Sequence, residues 1–197
     1  SGTYQSASLA AKEAPVPVTV FDSVHASLGV GVMVRRAAAM RDAGRSLDEV
    51  VEALGRIRDA NYLIFTVASM EFLQKGGRIG RASALLGSLL NIRPLLTITD
   101  GVVEAAGRAR GAKKAMKEMV SRLASYREAH PDGELVISFV HIQDEDSVAE
   151  LRKAIADAGI EFRDNGLYEM GAVIGVHVGP GTYGAYAFAD TTPELGP

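Results

Sequence analysis

The stretch RPLLTITDGVVEAAG, Arg93 to Gly107, decides the fold class of this 197-residue chain. Two apolar runs flank Asp100-Gly101, and an Asp-Gly pair supplies the two left-handed residues that a tight hairpin turn needs. A hairpin means antiparallel pairing. Working outward, a long helical pattern covers about Ala112 to Glu128, with Met116, Val120 and Leu123 on one face. ELVISFVHI then reads as a strand, DSVAELRKAIADAG as a helix stopped by Gly159, and IEFRDNGLYEM as a strand with a turn. Just before the hairpin, a helix is expected around Ser83 to Asn91. Hairpins mixed with helices predict an α+β unit over residues 68–197.

Residues 1–67 read differently. SGTYQSASLAAKEA is a turn and a helix that ends before Pro15 and Pro17. Val16 to Phe21 reads as a short apolar strand, followed by a helix from about Leu28 to Ala43. Ser46 and Glu49 form a capping-box pattern for the next helix, and YLIFTVAS is a second strand. The order strand, helix, helix, strand, with continuous apolar strands, predicts a parallel-sheet α/β domain. Because the sequence opens at Ser1 without a methionine, inside a motif, residues 1–67 are read as the C-terminal part of that domain. The chain as a whole is therefore read as α/β: the remainder of a parallel-sheet domain followed by an α+β domain.

Composition narrows the chemistry. With no cysteine, disulfides, thiolate catalysis and cysteine zinc sites are excluded. The four histidines, His25, His130, His141 and His177, show no metal-ligand spacing, so neither a metal nor another cofactor is expected. A net charge of −3 argues against a general nucleic-acid binder. The longest apolar runs are too short to span a membrane and no signal peptide is visible, which makes the cytoplasm the expected compartment. Charge is unevenly placed, however. Residues 71–122 carry ten Lys and Arg against four Asp and Glu, as an anion site or an anionic partner surface requires, although a solvated face explains it too.

Three patches share that theme. Ser1-Gly2-Thr3 opens a helix, where backbone N–H groups and two hydroxyls suit a carboxylate or phosphate; a plain N-cap explains it equally. KGGRIGR, Lys75 to Arg81, joins close-approach glycines to forked donors, yet lacks the G-K-[ST] of a nucleotide loop. GRARGAKK, Gly107 to Lys114, sets Arg108 and Arg110 ahead of a helix N-terminus. A fourth feature is IGVHVGPGTYG, Ile174 to Gly184, where His177 stands alone in an apolar, strand-like run. Such a histidine is more often a core residue than a ligand contact. No catalytic signature of hydrolases or metalloproteases occurs.

Taken together, SGTYQSA (residues 1–7), FDSVHASLGVG (21–31), LQKGGRIGRASALLGSLLNIRPLLTITDGVVEAAGRARGAKKA (73–115) and GVHVGPGTYG (175–184) resemble the DegV family of bacterial fatty-acid-binding proteins. The resemblance covers nearly the whole chain and implies a two-domain fold with a long-chain fatty acid held between the domains. It implies that Ser1, with Gly2 and Thr3, holds the carboxylate, sharing the task with a threonine from a segment preceding Ser1. It places Arg78 and His177 near the head group, and it links Arg110 to presenting the ligand to a separate fatty-acid kinase, which makes an acyl phosphate. Leu85, Leu86, Leu89, Leu90, Ile92, Leu95 and Val173 are then expected to help line the tail. The protein would be a carrier with no catalytic residue. The rival expectation is a subunit of a dihydroxyacetone-kinase-like phosphoryl-transfer enzyme, with a polar pocket.

Overall fold

In the computed structural model, which describes residues 1–87 and 91–191, Ser1 Oγ caps α1 (Gly2–Ala11) by accepting from the Tyr4 N–H at 3.4 Å. The helices α2 (Leu28–Asp42) and α3 (Leu47–Ala60) follow, and α3 starts on the full Ser46/Glu49 capping box. Next come β1 (Tyr62–Thr66) and the short α4 (Glu71–Lys75), then a 3-10 turn over Gly80–Leu85. The hairpin strands are β2 (Ile92–Thr99) and β3 (Val102–Arg110). The remainder is α5 (Ala112–Ala129), β4 (Glu134–Ile142), α6 (Glu145–Asp157), β5 (Arg163–Glu169), α7 (Ala172–Val178) and β6 (Thr182–Asp190).

Six strands form one sheet in the order β3-β2-β1-β6-β4-β5. Asp100 and Gly101 take φ of 53° and 74°, the double left-handed turn expected of the pair, and the hairpin pairs from Thr99↔Val102 to Ile92↔Arg110 with one register shift between Leu95 and Leu96. Only β4 and β5 pair in parallel among the described strands, with α6 as the crossover between them. The strand β4 is buried almost throughout because both faces are covered. Leu135, Ile137 and Phe139 meet Met119, Leu123, Val148, Leu151 and Ile155 of α5 and α6 on one face. Val140 and Ile142 face the other way, toward Leu63, Phe65, Leu73 and Tyr186.

The mixed α/β class agrees with the sequence, while four local expectations do not. Val16 to Phe21 is irregular rather than a strand: a strand needs a ladder partner, and Pro17 removes a donor from the segment just after Pro15. The strand β1 pairs antiparallel with both β2 and β6, so one of the two middle strands of the sheet comes from before residue 68. The helix expected over 83–91 is only the 3-10 turn ending at Leu85, and residues 88–90 lie outside the described ones. The apolar run around His177 is the helix α7, ended by Gly179 at φ 76°. Short apolar runs carry no period that separates strand from buried helix.

On the cavity-bearing face, α2 is held by two arginines. Arg35 donates to the Tyr168 hydroxyl at 2.8 Å. Arg36, 1% exposed, pairs with Asp190, 3% exposed, at 2.7 Å, and Arg163 reaches the same carboxylate at 3.2 Å. Removing one member of a buried pair strands the other charge. Asp190→Ala is therefore expected to cost about 3–5 kcal/mol of stability, read as a lower denaturant midpoint at unchanged slope.

Candidate ligand-binding site

Between α2, α4 and α7 the sheet is left uncovered, and a cavity of about 410 Å³ opens there. Its floor is apolar: Leu63 and Phe65 of β1, Val140 of β4 and Tyr186 of β6 are each buried. Leu73 of α4 with Ile174 and Val178 of α7 form its walls. Four of the residues singled out from the sequence, Ser1, Thr3, Arg78 and His177, border it. Ser1, Thr3 and Arg78 are exposed, so they form a polar rim above an apolar floor. A second cavity of about 630 Å³ adjoins it and shares Ser1, Thr3, His25, Ala26 and Ile98.

The rim is assembled by glycines. A methyl group on Gly76 would overlap the His177 Nδ1, so the KGG turn lies directly against the imidazole. That contact backs Nδ1, which is buried without a hydrogen-bond partner, and leaves Nε2 as the ring nitrogen able to meet a ligand. Arg78 donates through Nη1 to the Gly76 carbonyl at 2.8 Å, keeping its other donors for the rim. Gly179, at the end of α7, carries no side chain because the Phe72 ring of α4 occupies that place. Ser1 Oγ accepts from the Tyr4 N–H, which leaves the hydroxyl proton to donate outward.

His25 was missed in the sequence, although it borders both cavities. The loop that carries it is strained on either side, with Val24 at φ 48° and Ser27 at φ 52°. Asp22 Oδ1 accepts from the Val24 N–H at 3.2 Å, and Ser23 Oγ accepts from the His25 N–H at 3.4 Å. Nε2 lies 3.3 Å from the Arg58 carbonyl, so the neutral ring carries its proton there. The usable signal was Gly29 in the same motif: a side chain there would press on the His25 Cβ and the Tyr186 ring.

Other expected residues stand elsewhere. Gly2 is exposed in the first turn of α1, between two rim residues, but is not itself part of the cavity lining. Arg110 is exposed at the far end of β3 from the turn, about 27 Å along the strand by strand rise. Of the expected tail residues, Val173 borders the cavity. Leu95 is buried on the opposite face of the sheet, Leu86 is exposed, and Leu85 packs beside the cluster under the cavity. Ile92 begins β2 away from the lining, and Leu89 and Leu90 lie outside the described residues. Among the described residues no three His, Asp or Glu side chains gather as a metal would need, and no helix is long and apolar enough to cross a membrane.

Hydroxyl, guanidinium and imidazole groups over an apolar floor make this an α/β protein whose site has the chemistry to take an amphiphile. Residues 1–190 match the family model described as "Uncharacterised protein, DegV family", and the chain belongs to the DegV family. A DegV domain-containing protein of Deinococcus radiodurans is 44% identical over 184 residues, covering 93% of this chain and 64% of the relative. A fatty acid-binding protein of Thermotoga maritima is 37% identical over 187 residues, with the same two coverages. The chain thus spans about 64% of the length of these relatives. Among solved structures, a fatty-acid-binding DegV family protein from Thermus thermophilus superposes with a TM-score of 0.90 at 48% identity, covering 96% of this chain and 67% of that one.

His25 also gives the protein a pH dependence. Burial is the largest influence and holds its pKa below the ordinary 6.5; the Arg58 carbonyl opposes this and the Arg58 charge adds to it. The unfolded chain then takes up a proton that the folded chain does not, so stability is full above pH 6.5 and falls as pH drops from there toward the folded pKa. The denaturant midpoint is expected to fall less steeply with acidification in His25→Gln than in the wild type.

Proposed function

We propose that this protein is a carrier that holds one long-chain fatty acid, its carboxylate at the rim and its tail over the sheet. The observation that carries the reading is the meeting of Ser1, Thr3, Arg78 and His177 at the border of one apolar-floored cavity. A desolvated carboxylate needs charge-assisted donors, and the Ser1 hydroxyl, the Arg78 guanidinium and the His177 Nε2 are groups of that kind. The names of the relatives in Thermotoga and Thermus support the same ligand class. The two expected units share the work: residues 1–67 supply the Ser1 turn and the His25 loop, and residues 68–197 supply Arg78, α7 and most of the sheet.

In this reading the protein binds and presents its ligand, and a separate cytoplasmic kinase phosphorylates the carboxylate. Arg110, exposed and remote from the cavity, belongs to the surface that meets that kinase rather than to the ligand site. A subunit of a dihydroxyacetone-kinase-like enzyme would instead need a polar pocket for a small substrate, and the floor of Leu63, Phe65 and Val140 is the opposite of one.

Organic extraction of freshly purified protein, with native mass spectrometry alongside, is expected to give one fatty acid per chain. A protein of natural length that is repeatedly empty, and takes up no added fatty acid, would sink the carrier reading. Ser1→Ala is expected to weaken binding by about 1.5–3 kcal/mol through loss of a hydrogen bond to a charged group; an unchanged dissociation constant removes Ser1 from the site. Arg110→Ala is expected to leave fatty-acid binding intact and slow acyl-phosphate formation by the kinase. Lost binding in that variant would instead make Arg110 a ligand contact.

A further inference from the structure

The cavity has a polar end and an apolar end, and the strand order separates them. Ser1, Thr3 and His25 share the adjoining cavity with Ile98 of β2 and with Asp100, Gly101 and Val102 of the hairpin turn. Arg78 sits in the loop whose Gly80 is pressed against Val102 and Val103 of β3. These polar groups therefore gather on the β3–β2 side of the sheet, and His177, at the C-terminal end of α7, joins them through its contact with Gly76 beside Arg78. On the other side, the lining comes from Val140 of β4, Ile174 of α7 and Met170. Val140 is paired with Tyr168 of β5, and the Met170 N–H donates to the His141 carbonyl at 2.9 Å, just beyond the end of β5. Thr182 lies in this lining too, but its hydroxyl is already occupied by the Val178 and Gly179 carbonyls, so it makes no polar demand on a ligand. From β3 to β5 there are five strand spacings, about 24 Å.

Resting on the fatty-acid reading above, we propose that the acyl chain crosses the sheet from the β3 side toward β5, and that Met170 meets its methyl end and sets the longest chain the site accepts. The other residues at this end have less freedom to yield. Val140 is 1% exposed within a central strand, and Ile174 is β-branched and sits on a helix packed over the sheet. Met170 lies between β5 and α7, is only partly buried, and has an unbranched, flexible side chain that fills gaps of irregular shape. Its length, rather than the backbone, limits the room at this end.

The test is a series of dissociation constants for dodecanoic, tetradecanoic, hexadecanoic, octadecanoic and eicosanoic acids, measured on the natural-length protein. Wild type, Met170→Ala and Met170→Phe are compared, each checked for folding by circular dichroism. Met170→Ala is expected to move the preferred length upward, with affinity for acids beyond the wild-type limit rising roughly fourfold per methylene newly accommodated. Dodecanoic acid should bind as before, and Met170→Phe should move the limit downward. The same ranking of lengths in all three folded proteins, or an equal loss at every length, overturns the assignment. A wild type that binds none of the acids defeats the carrier reading itself, an outcome visible before any variant is compared.

Discussion

The Tyr186 hydroxyl donates to the Ala26 carbonyl at 2.7 Å, and the shape of the candidate site depends on that bond. Tyr186 stands in β6, between β1 and β4, with its ring in the cavity floor. One end of the side chain is thus part of the apolar surface and the other fixes the strained loop that carries His25. Burial pushes its pKa well above the ordinary value, so the hydroxyl stays a donor across the working pH range. Gly29 completes the arrangement, since only a residue without a side chain lets the His25 loop and the Tyr186 ring approach the start of α2 together. Sheet, loop and helix are positioned by one aromatic residue with a polar tip.

What the sequence revealed follows from how local each feature is. The Asp100-Gly101 hairpin, the Ser46 capping box and the long helix before β4 are set by residues within a few positions of one another, and each was readable. On the long helix the stripe reads Ala115, Met119, Leu123 and Tyr126, with the expected Met116 and Val120 at its margin. Features that depend on distant partners were harder. The irregular segment from Val16 to Phe21 has strand-like composition but no ladder, and α7 is an apolar run that packs as a helix against α4.

Of the candidate site, the polar border was legible in the sequence and the apolar floor was not. Ser1, Thr3, Arg78 and His177 sit in short, distinctive motifs, and the fold brings them to one rim. The leucines expected to line the tail lie in the sequence near those motifs, whereas the cavity floor comes from strands β1, β4 and β6, adjacent in the sheet but far apart in sequence. The basic middle of the chain is likewise less bare than its composition suggests. Lys75 pairs with Glu71 at 2.6 Å, Arg122 with Glu118 at 3.1 Å, and Arg81 approaches Glu104 at 3.7 Å. Arg108, Arg110, Lys113 and Lys114, around the start of α5, are exposed.

The place of β6 in the sheet has a consequence for how the protein is made. Its two neighbours, β1 and β4, emerge from the ribosome long before it does, and neither pairs with the other. Until residues 182–190 are synthesised, the hairpin with β1 and the parallel β4–β5 pair are separate pieces, each with an apolar edge in water. The cavity floor spans both pieces, so it does not exist in the nascent chain at all. Joining them is a late, long-range step of high contact order, and it is the stage at which a cell's chaperones have most to protect.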